Sequence, residues 1–382
     1  MKEMKEKEEK KPKNQLEGLL NEYEDDHYNF GVTEYFQIST GSMKLDAALD
    51  GGLPPGIHRF GGSSEGGKTS ASLEVLKNFL ETVPNSKGII VKAEGRLSEK
   101  LKKRSGIKFV TNAEDWVVGT CFVFKCNVYD VVAQFIYDLV KINSEGFKYG
   151  FVVDSLDGLI LKSDQAKTFT DGESVKVCGP NVLTKLLFKK LSLPISELGH
   201  LLIVITQIIA SIPASRPTAN EQLKVSGGGG NASIHFSSFI LTFQPRYRDD
   251  IIVNDGKVPN FNFGESNIIG HWAKVKLEKT ENEKSNQNIR YPIKYTTESE
   301  DGRIWTELEI REMLEYYGFI TIKGSWFKFS DNFAAKMKES GIEDIPAQIQ
   351  GAAKFDIYVC EPDKMIFCKK FLKEFRDSKE LL

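Results

Sequence analysis

The sequence Gly61-Gly-Ser-Ser-Glu-Gly-Gly-Lys-Thr69 decides the fold of this chain. From Gly62 it matches G-x-x-x-x-G-K-[ST], the pattern of a phosphate-binding loop. An apolar segment, residues 57–60, precedes the loop, and a helical pattern, residues 70–80, follows it. This context favours the motif, because the glycines let backbone N–H groups face an anion and the helix dipole adds to the attraction. The alternative is a glycine-rich loop before an ordinary helix.

The motif also predicts roles for individual residues. Lys68 would reach the β- and γ-phosphates of a nucleotide, and the Thr69 hydroxyl would bind Mg²⁺. The predicted nucleotide-binding residues of this stretch are Gly62, Ser63, Ser64, Glu65, Gly66, Gly67, Lys68, Thr69 and Ser70.

The totals of the chain limit the classes to which it can belong. With 382 residues, 40% of them hydrophobic and 27% charged, it can bury a large core and a second domain. The net charge of −2 gives no global basic field, so a nucleic-acid site would have to be local. The apolar runs are too short to span a bilayer, and the charged N-terminus argues against a secretory signal. The five cysteines contain no C-x-x-C, which favours reduced thiols in a cytosol and argues against a zinc site.

Polar residues follow three predicted buried strands. Glu94 comes after the strand at 88–92, Asp154 ends the apolar run from residue 149, and Gln207 follows the strand at 201–206. The carboxyl ends of parallel strands form the ligand edge of an open α/β sheet. Glu94 would therefore orient a water, Asp154 would hold Mg²⁺, and the Gln207 amide would bind a γ-phosphate oxygen. Taken alone, Glu94 could equally be a solvent-exposed residue at a strand end.

Two long segments without periodicity, residues 161–180 and 208–230, lie between these elements. Loops of that length within a domain are usually functional or disordered. We predict that these two segments are mobile arms that start beside the nucleotide site. The alternative is that both segments are disordered on the surface.

The remaining elements are predicted from periodicity and turn residues. They are helices at 14–23, 42–49, 129–142, 182–191 and 306–317, strands at 116–124, 234–243, 272–277 and 289–295, and a hairpin at 319–329 with Gly324 at its turn. A charged, disordered tail is predicted at 1–13, and a basic amphipathic helix at 365–375. That last helix would either pack its apolar face on the protein or bind a partner or nucleic acid.

Several motifs along the chain resemble those of one family. In order, they are Ile38-Ser-Thr-Gly-Ser42, Leu45-Asp46, Gly51-Gly-Leu-Pro54, the loop at 61–69, Ala93-Glu94, Val153-Asp-Ser155, Thr206-Gln207 and Gly229-Gly-Asn-Ala232. Together they resemble the RecA family of homologous-recombination ATPases over residues 36–330. The part from Glu278-Lys279 to Trp326-Phe327 is closest to the phage UvsX-like branch.

The resemblance implies an α/β fold with a RecA-like P-loop ATPase core. That core is a twisted, mostly parallel central sheet flanked by helices. It implies an N-terminal tail and oligomerisation helix at 1–36, the core at 37–297 and a small α+β C-terminal domain at 298–382. It also implies that ATP and Mg²⁺ drive assembly of a helical filament on single-stranded DNA. The filament would then pair with homologous double-stranded DNA and exchange strands, with DNA-stimulated ATP hydrolysis.

The resemblance further assigns site residues. Glu94, Lys68, Gln207 and Lys279 would be catalytic, Thr69 and Asp154 would bind the metal, and Leu101 would contact the adenine. The two arms would bind DNA through Lys162, Lys167, Lys176, Arg216, Lys224, Gly228, Gly229, Gly230 and Asn231.

ATP in this family lies between protomers, so Lys279 would act on the neighbour's nucleotide. The position of a second such lysine falls near Glu281, which departs from the pattern. Mediator and single-strand-binding proteins are implied partners, without a membrane, in the cytosol of a bacterium or a phage-infected host. The alternatives are a hexameric DNA helicase of the same core fold and a DNA-coating filament protein without strand exchange.

Overall fold

The computed structural model describes residues 14–24, 27–29, 35–167, 179–210, 225–227, 230–254, 258–262, 266–295 and 304–379. Its helices are α1 (Gln15–Glu22), α2 (Met43–Ala48), α3 (Lys68–Thr82), α4 (Glu99–Ser105), α5 (Tyr129–Lys141), α6 (Lys162–Gln165), α7 (Gly179–Glu197), α8 (Gly230–Phe236), α9 (Thr306–Tyr316), α10 (Asp331–Glu339), α11 (Ala352–Cys360) and α12 (Pro362–Lys379). Its strands are β1 (Gly56–Gly62), β2 (Ser86–Lys92), β3 (Lys108–Val110), β4 (Thr120–Phe124), β5 (Lys148–Asp154), β6 (Leu201–Ala210), β7 (Val225–Gly227), β8 (Phe239–Phe243), β9 (Ile251–Val253), β10 (Ile268–Lys279), β11 (Asn288–Lys294), β12 (Ile320–Lys323), β13 (Trp326–Phe329) and β14 (Ile349–Gln350).

A large central sheet organises the chain. Its strands lie in the order β11-β10-β8-β1-β6-β5-β2-β4-β3, with β7 paired to β6 and β9 paired to β10. The neighbouring strands from β8 to β3 run parallel, whereas β10 and β11 are antiparallel additions at one side. Helices pack on both faces. The prediction of an α/β fold with a mostly parallel central sheet flanked by helices is therefore confirmed.

The strands are buried on both faces, as parallel strands covered by helices must be. Along β6, Leu201, Ile203 and Ile205 contact a cluster that contains side chains of α3. Leu202 and Val204 contact a second cluster, which contains side chains of α5 and α7. Because successive side chains of a strand point to opposite faces, this nearly continuous apolar run supplies both layers of the core.

The glycine-rich loop joins β1 to α3, which confirms the predicted strand–loop–helix context. Gly62 has φ +144°, and a Cβ there would lie 2.2 Å from the carbonyl oxygen of Phe243. Gly67 has φ +97° and directly precedes Lys68, the first residue of α3. Both positions therefore require glycine, one for close approach to β8 and both for a backbone conformation that other residues avoid.

A third apolar cluster lies in the C-terminal part, where α9 to α12 pack around the sheet β12-β13-β14. The predicted hairpin is confirmed, with Gly324 at φ +60° in its turn. Within α12, Phe371, Leu372 and Phe375 pack into this cluster. The interpretation in which the basic helix packs its apolar face is thus confirmed.

A buried carboxylate connects this part to the segment before β1. Glu309 of α9 is fully buried and accepts hydrogen bonds from the Ser42 hydroxyl (2.5 Å) and from the backbone N–H groups of Met43 (3.0 Å) and Lys44 (3.1 Å). These donors lie at the first turn of α2. Because the first N–H groups of a helix have no partner within the helix, Glu309 caps α2 from a distant element.

Some predicted elements are wrong. Residues 234–236 belong to α8, and the strand begins only at Phe239. Here the Ser237 hydroxyl donates to the carbonyl of Ser233 at 2.6 Å, a contact between residues four apart that accompanies a helix and not a strand. Residues 116–119 form a turn before β4, and α7 continues past Pro194 to Glu197.

The two segments predicted to lack regular structure are shorter than expected. The segment 161–180 contains α6 and the first residues of α7. The segment 208–230 contains the end of β6, β7 and the first residue of α8. Their central parts, 168–178, 211–224 and 228–229, lie outside the described residues, as does the predicted tail at 1–13. Among the described helices, none is long and apolar enough to cross a membrane.

Candidate nucleotide-binding site

The carboxyl ends of four neighbouring strands bring the predicted site residues together. Strand register aligns Gly62 of β1 with Gln207 of β6, and Lys92 of β2 with Asp154 of β5. Glu94 follows β2 by two residues. The edge of the sheet therefore brings together residues that are up to 145 positions apart in the chain, from Gly62 to Gln207.

Lys68 is buried under the glycine-rich loop. Its Nζ donates to the carbonyl oxygens of Gly62 (2.8 Å) and Ser63 (2.6 Å). Burial lowers the pKa of Lys68, while the nearby carboxylates, Asp154 foremost, act in the opposite direction. Two carbonyl groups of the loop thus hold the ammonium group of Lys68. Phosphate oxygens could take the place of these carbonyl groups as its partners.

Thr69 and Asp154, the predicted metal ligands, lie side by side. The Thr69 Oγ1 is 3.3 Å from Asp154 Oδ2. Hydroxyl and carboxylate oxygens are hard donors of the kind that Mg²⁺ prefers, and Mg²⁺ usually completes its ligand set with water and phosphate oxygens. The donor set therefore fits a metal that arrives with a phosphate group.

Lys92, which the sequence reasoning missed, shares Asp154 with Thr69. Its Nζ lies 2.7 Å from Asp154 Oδ2. The signal was present in the sequence, because Lys92 is a charged residue at the end of an apolar strand, two positions before Glu94. The same argument that selected Glu94 could have selected it.

Glu94 is held at both carboxylate oxygens. The Ser155 hydroxyl donates to Oε1 at 2.7 Å, and the Gln207 side-chain amide donates to Oε2 at 3.4 Å. Its methylene groups lie against Gly158, where a Cβ would be 2.4 Å from Glu94 Cγ. The structure thus places the predicted general base and the predicted γ-phosphate sensor in direct contact.

Two further charged residues hold the end of β6. The Gln207 backbone N–H donates to Asp157 Oδ2 at 2.6 Å, and Arg59 Nε donates to the Thr206 hydroxyl at 3.0 Å. Burial raises the pKa of Asp157, and the Glu94 carboxylate raises it further. Neither Asp157 nor Arg59 was predicted. Asp157 lies in a turn and Arg59 in a central strand, and tertiary packing decides which residues of these elements face β6.

A cleft of about 220 Å³ opens beside the start of α3. It is lined in part by Gly66, Ser70, Arg104, His271, Tyr291 and Tyr295. Arg104 donates to the Ser70 hydroxyl at 2.9 Å. Burial, and then the charge of Arg246, lower the pKa of His271 to about 4, so this imidazole is neutral near pH 7. The lining also includes two arginines, Arg104 and Arg246, and two carboxylates, Glu65 and Glu74, so the cleft combines aromatic walls with charges of both signs.

The predicted adenine contact, Leu101, packs against the first apolar cluster. On the same helix, Arg104 lines the cleft instead. Which residue of α4 faces the cleft depends on the rotation of that short helix, and the sequence pattern does not determine it. The role of Leu101 stays a prediction.

Lys279 lies at the end of β10. Its Nζ donates to the carbonyl oxygens of Ile234 (3.2 Å) and His235 (2.9 Å), at the carboxyl end of α8. A cation is favourable there because helix carbonyls point outward at that end. Its predicted action on the nucleotide of a neighbouring protomer stays a prediction, and Glu281 follows it as an exposed residue.

The predicted DNA-binding residues are only partly described. Lys162 begins α6 on the surface, and Lys167 pairs with Asp164 at 3.0 Å. Gly230 and Asn231 begin α8. The others, Lys176, Arg216, Lys224, Gly228 and Gly229, lie outside the described residues.

Comparison with known proteins adds no family assignment. No protein-family model matches the chain, and no curated protein matches it.

Proposed function

We propose that this chain is a RecA-type, DNA-dependent ATPase that forms helical filaments on single-stranded DNA and exchanges homologous strands. One observation carries the proposal. At a single edge of the sheet, a glycine-rich loop with a buried lysine meets a Thr69–Asp154 pair and a Glu94–Gln207 contact. The first two features suit a nucleoside triphosphate with its metal, and the third suits hydrolysis coupled to a second event.

Phosphoryl transfer depends on positioned charge more than on covalent chemistry. In the proposed mechanism Lys68 exchanges the carbonyls of Gly62 and Ser63 for phosphate oxygens. Bound Mg²⁺, held by Thr69 and Asp154, would supply positive charge that offsets the phosphate oxygens. Glu94 orients the attacking water and accepts its proton as general base. The Ser155 hydroxyl keeps the Glu94 carboxylate in one orientation.

Gln207 offers a physical route between hydrolysis and DNA. Its amide contacts Glu94, and the segment 208–230 directly follows it in the chain. A γ-phosphate oxygen near Glu94 would compete for the same amide, so ATP and ADP would favour different positions of that segment. Contacts from lysines and backbone N–H groups would make DNA binding independent of sequence and strongly dependent on salt.

The assembled form follows from the same proposal. Helical filaments would carry ATP at protomer interfaces, and each site would include Lys279 from the neighbouring protomer. In the cytosol, mediator and single-strand-binding proteins would control how the protein loads onto DNA. The deciding experiment combines a strand-exchange assay on homologous DNA with electron microscopy of the protein on single-stranded DNA with ATP. Open helical filaments and exchanged strands are expected. Closed rings would indicate a helicase, and filaments without exchange would indicate a coating protein.

Lys68→Ala provides the matched mutational test. Loss of the phosphate partner should lower DNA-stimulated hydrolysis by more than about a hundredfold. Lys328→Ala removes an exposed lysine of β13 and should behave as wild type. Hydrolysis that survives Lys68→Ala would contradict the site assignment.

A further inference from the structure

The Lys92–Asp154 ion pair crosses between two strand ends of the sheet. Lys92 is the last residue of β2, Asp154 is the last residue of β5, and the register sets them opposite each other. Their side chains are 14% and 10% exposed, respectively. Because little water reaches the pair, the attraction between ammonium and carboxylate is screened much less than on an open surface.

The ammonium binds the same oxygen that the metal would need. Lys92 Nζ is 2.7 Å from Asp154 Oδ2, and Thr69 Oγ1 is 3.3 Å from that same atom. An ammonium and a divalent cation that use one carboxylate oxygen repel each other. The metal must either displace Lys92 from Oδ2 or bind beside a positive charge, and both options weaken metal binding.

We propose that Lys92 is an internal cation that competes with the divalent metal for Asp154 and thereby sets the metal concentration at which the nucleotide site loads. The inference rests on the proposed function. Before loading, Lys92 neutralises Asp154 and joins the ends of β2 and β5. Removal of the Lys92 charge leaves Asp154 available to the metal alone.

Lys92→Met tests this, because methionine keeps most of the apolar stem and removes the charge. Mn²⁺ binding in the presence of a non-hydrolysable ATP analogue is measured by electron paramagnetic resonance. We expect Lys92→Met to bind Mn²⁺ at least about tenfold more tightly than wild type. Lys92→Arg retains the charge and should bind Mn²⁺ no more tightly than wild type. Unchanged or weaker Mn²⁺ binding by Lys92→Met would overturn the inference.

Lys87→Met is the matched control. Lys87 lies on the same strand at the opposite end, with its Nζ 3.8 Å from the centre of the Phe147 ring. Its Mn²⁺ affinity should equal that of wild type, and a gain equal to that of Lys92→Met would overturn the inference.

Thermal unfolding provides a readout that is independent of hydrolysis. Without metal, Lys92→Met should melt at a lower temperature than wild type, because Asp154 loses its partner. Saturating Mn²⁺ with the analogue should raise its melting temperature by more than it raises that of wild type. An equal or smaller rise would overturn the inference. If wild type binds the analogue at no Mn²⁺ concentration, the proposed function fails and the inference fails with it. If wild type binds the analogue and Lys92→Met matches it, the inference alone fails.

Discussion

The two ends of the central strands are built from different kinds of contact. At the carboxyl ends of β1, β2, β5 and β6, charged and amide side chains contact one another, as Lys92 contacts Asp154 and Gln207 contacts Glu94. Near the amino ends of the same strands, polar rings contact backbone groups and aromatic faces. His200 Nδ1 accepts the N–H of Tyr149 at 2.9 Å, and the two rings stack with centres 5.4 Å apart.

The amino-end contacts continue around the sheet. His58 Nε2 hydrogen-bonds the carbonyl of Pro54 at 2.8 Å, and Trp116 Nε1 donates to the carbonyl of Gly88 at 3.0 Å. His58 and His200 are fully buried, so a ligand cannot reach these amino-end contacts without opening the sheet. Side-chain carboxylates and ammonium groups can exchange a protein partner for a ligand. The difference teaches why chemistry is expected at one end of these strands and rigidity at the other.

The largest effect is expected from a change of Glu94, among the contacts at the carboxyl ends of the strands. Glu94→Gln keeps the shape of the side chain but cannot accept the proton from water. Hydrolysis of ATP, measured as phosphate release, should fall by about 10²- to 10⁴-fold, while nucleotide binding and melting temperature stay unchanged. Glu145→Gln, an exposed residue just before the amino end of β5, should hydrolyse as wild type. Hydrolysis by Glu94→Gln within about threefold of wild type would contradict the role of Glu94 as base.

The next effect concerns the amino ends and depends on pH. Burial lowers the pKa of His58 from 6.5 to about 4. Because the folded-state pKa lies below the unfolded value, His58 contributes stability above pH 6.5 that is lost as the pH falls towards 4. The shift corresponds to about 3 kcal/mol of the free energy of unfolding. Urea unfolding at a series of pH values should show this acid destabilisation.

His58→Gln should remove only the His58 part of that pH dependence, because an amide can donate to Pro54 without titrating. The remaining acid destabilisation is expected from His200 and His271, since burial lowers the pKa of both. His235→Gln, an exposed residue of α8, should retain the wild-type pH dependence. An equally steep loss of stability in His58→Gln would assign the acid sensitivity elsewhere.

The smallest effect is expected from a change that displaces Glu94 at the carboxyl ends of the strands without removing a charge. Gly158→Ala would place a methyl group 2.4 Å from Glu94 Cγ and so displace the carboxylate. Hydrolysis should fall by about tenfold, since small displacements of a catalytic group are costly. Combined with Glu94→Gln, the alanine should cause no further loss, because both changes act through Glu94. A further tenfold loss in the double variant would show that Gly158 acts by another route.

Local patterns in the sequence predicted what depends on local structure. The glycines of the loop indicate a backbone conformation that few other residues adopt. The apolar runs before Glu94 and Asp154 indicate buried strands. Since parallel strands end at a common edge, the meeting of Glu94, Asp154 and Gln207 followed from their positions at strand ends.

The features that the sequence did not predict depend on register and packing. The position of Lys92 at a strand end was readable from the sequence, but its pairing with Asp154 depends on β2 and β5 being neighbours in register, which no local pattern states. The lining of the cleft by Arg104 depends on the rotation of α4. The short segment 230–236 has apolar residues at alternate positions, which fits a strand and a short helix equally well.

The cap that Glu309 forms on α2 has a consequence for dissecting the protein. A shortened chain that ends before residue 304 would remove the acceptor of the Ser42 hydroxyl and of two backbone N–H groups, together with the helices that pack on α2. Each of the three lost hydrogen bonds removes about 1 kcal/mol of stability. The segment they belong to leads directly into the strand that carries the glycine-rich loop. The C-terminal part therefore supports the fold before β1, and the candidate nucleotide site should be studied in the intact chain.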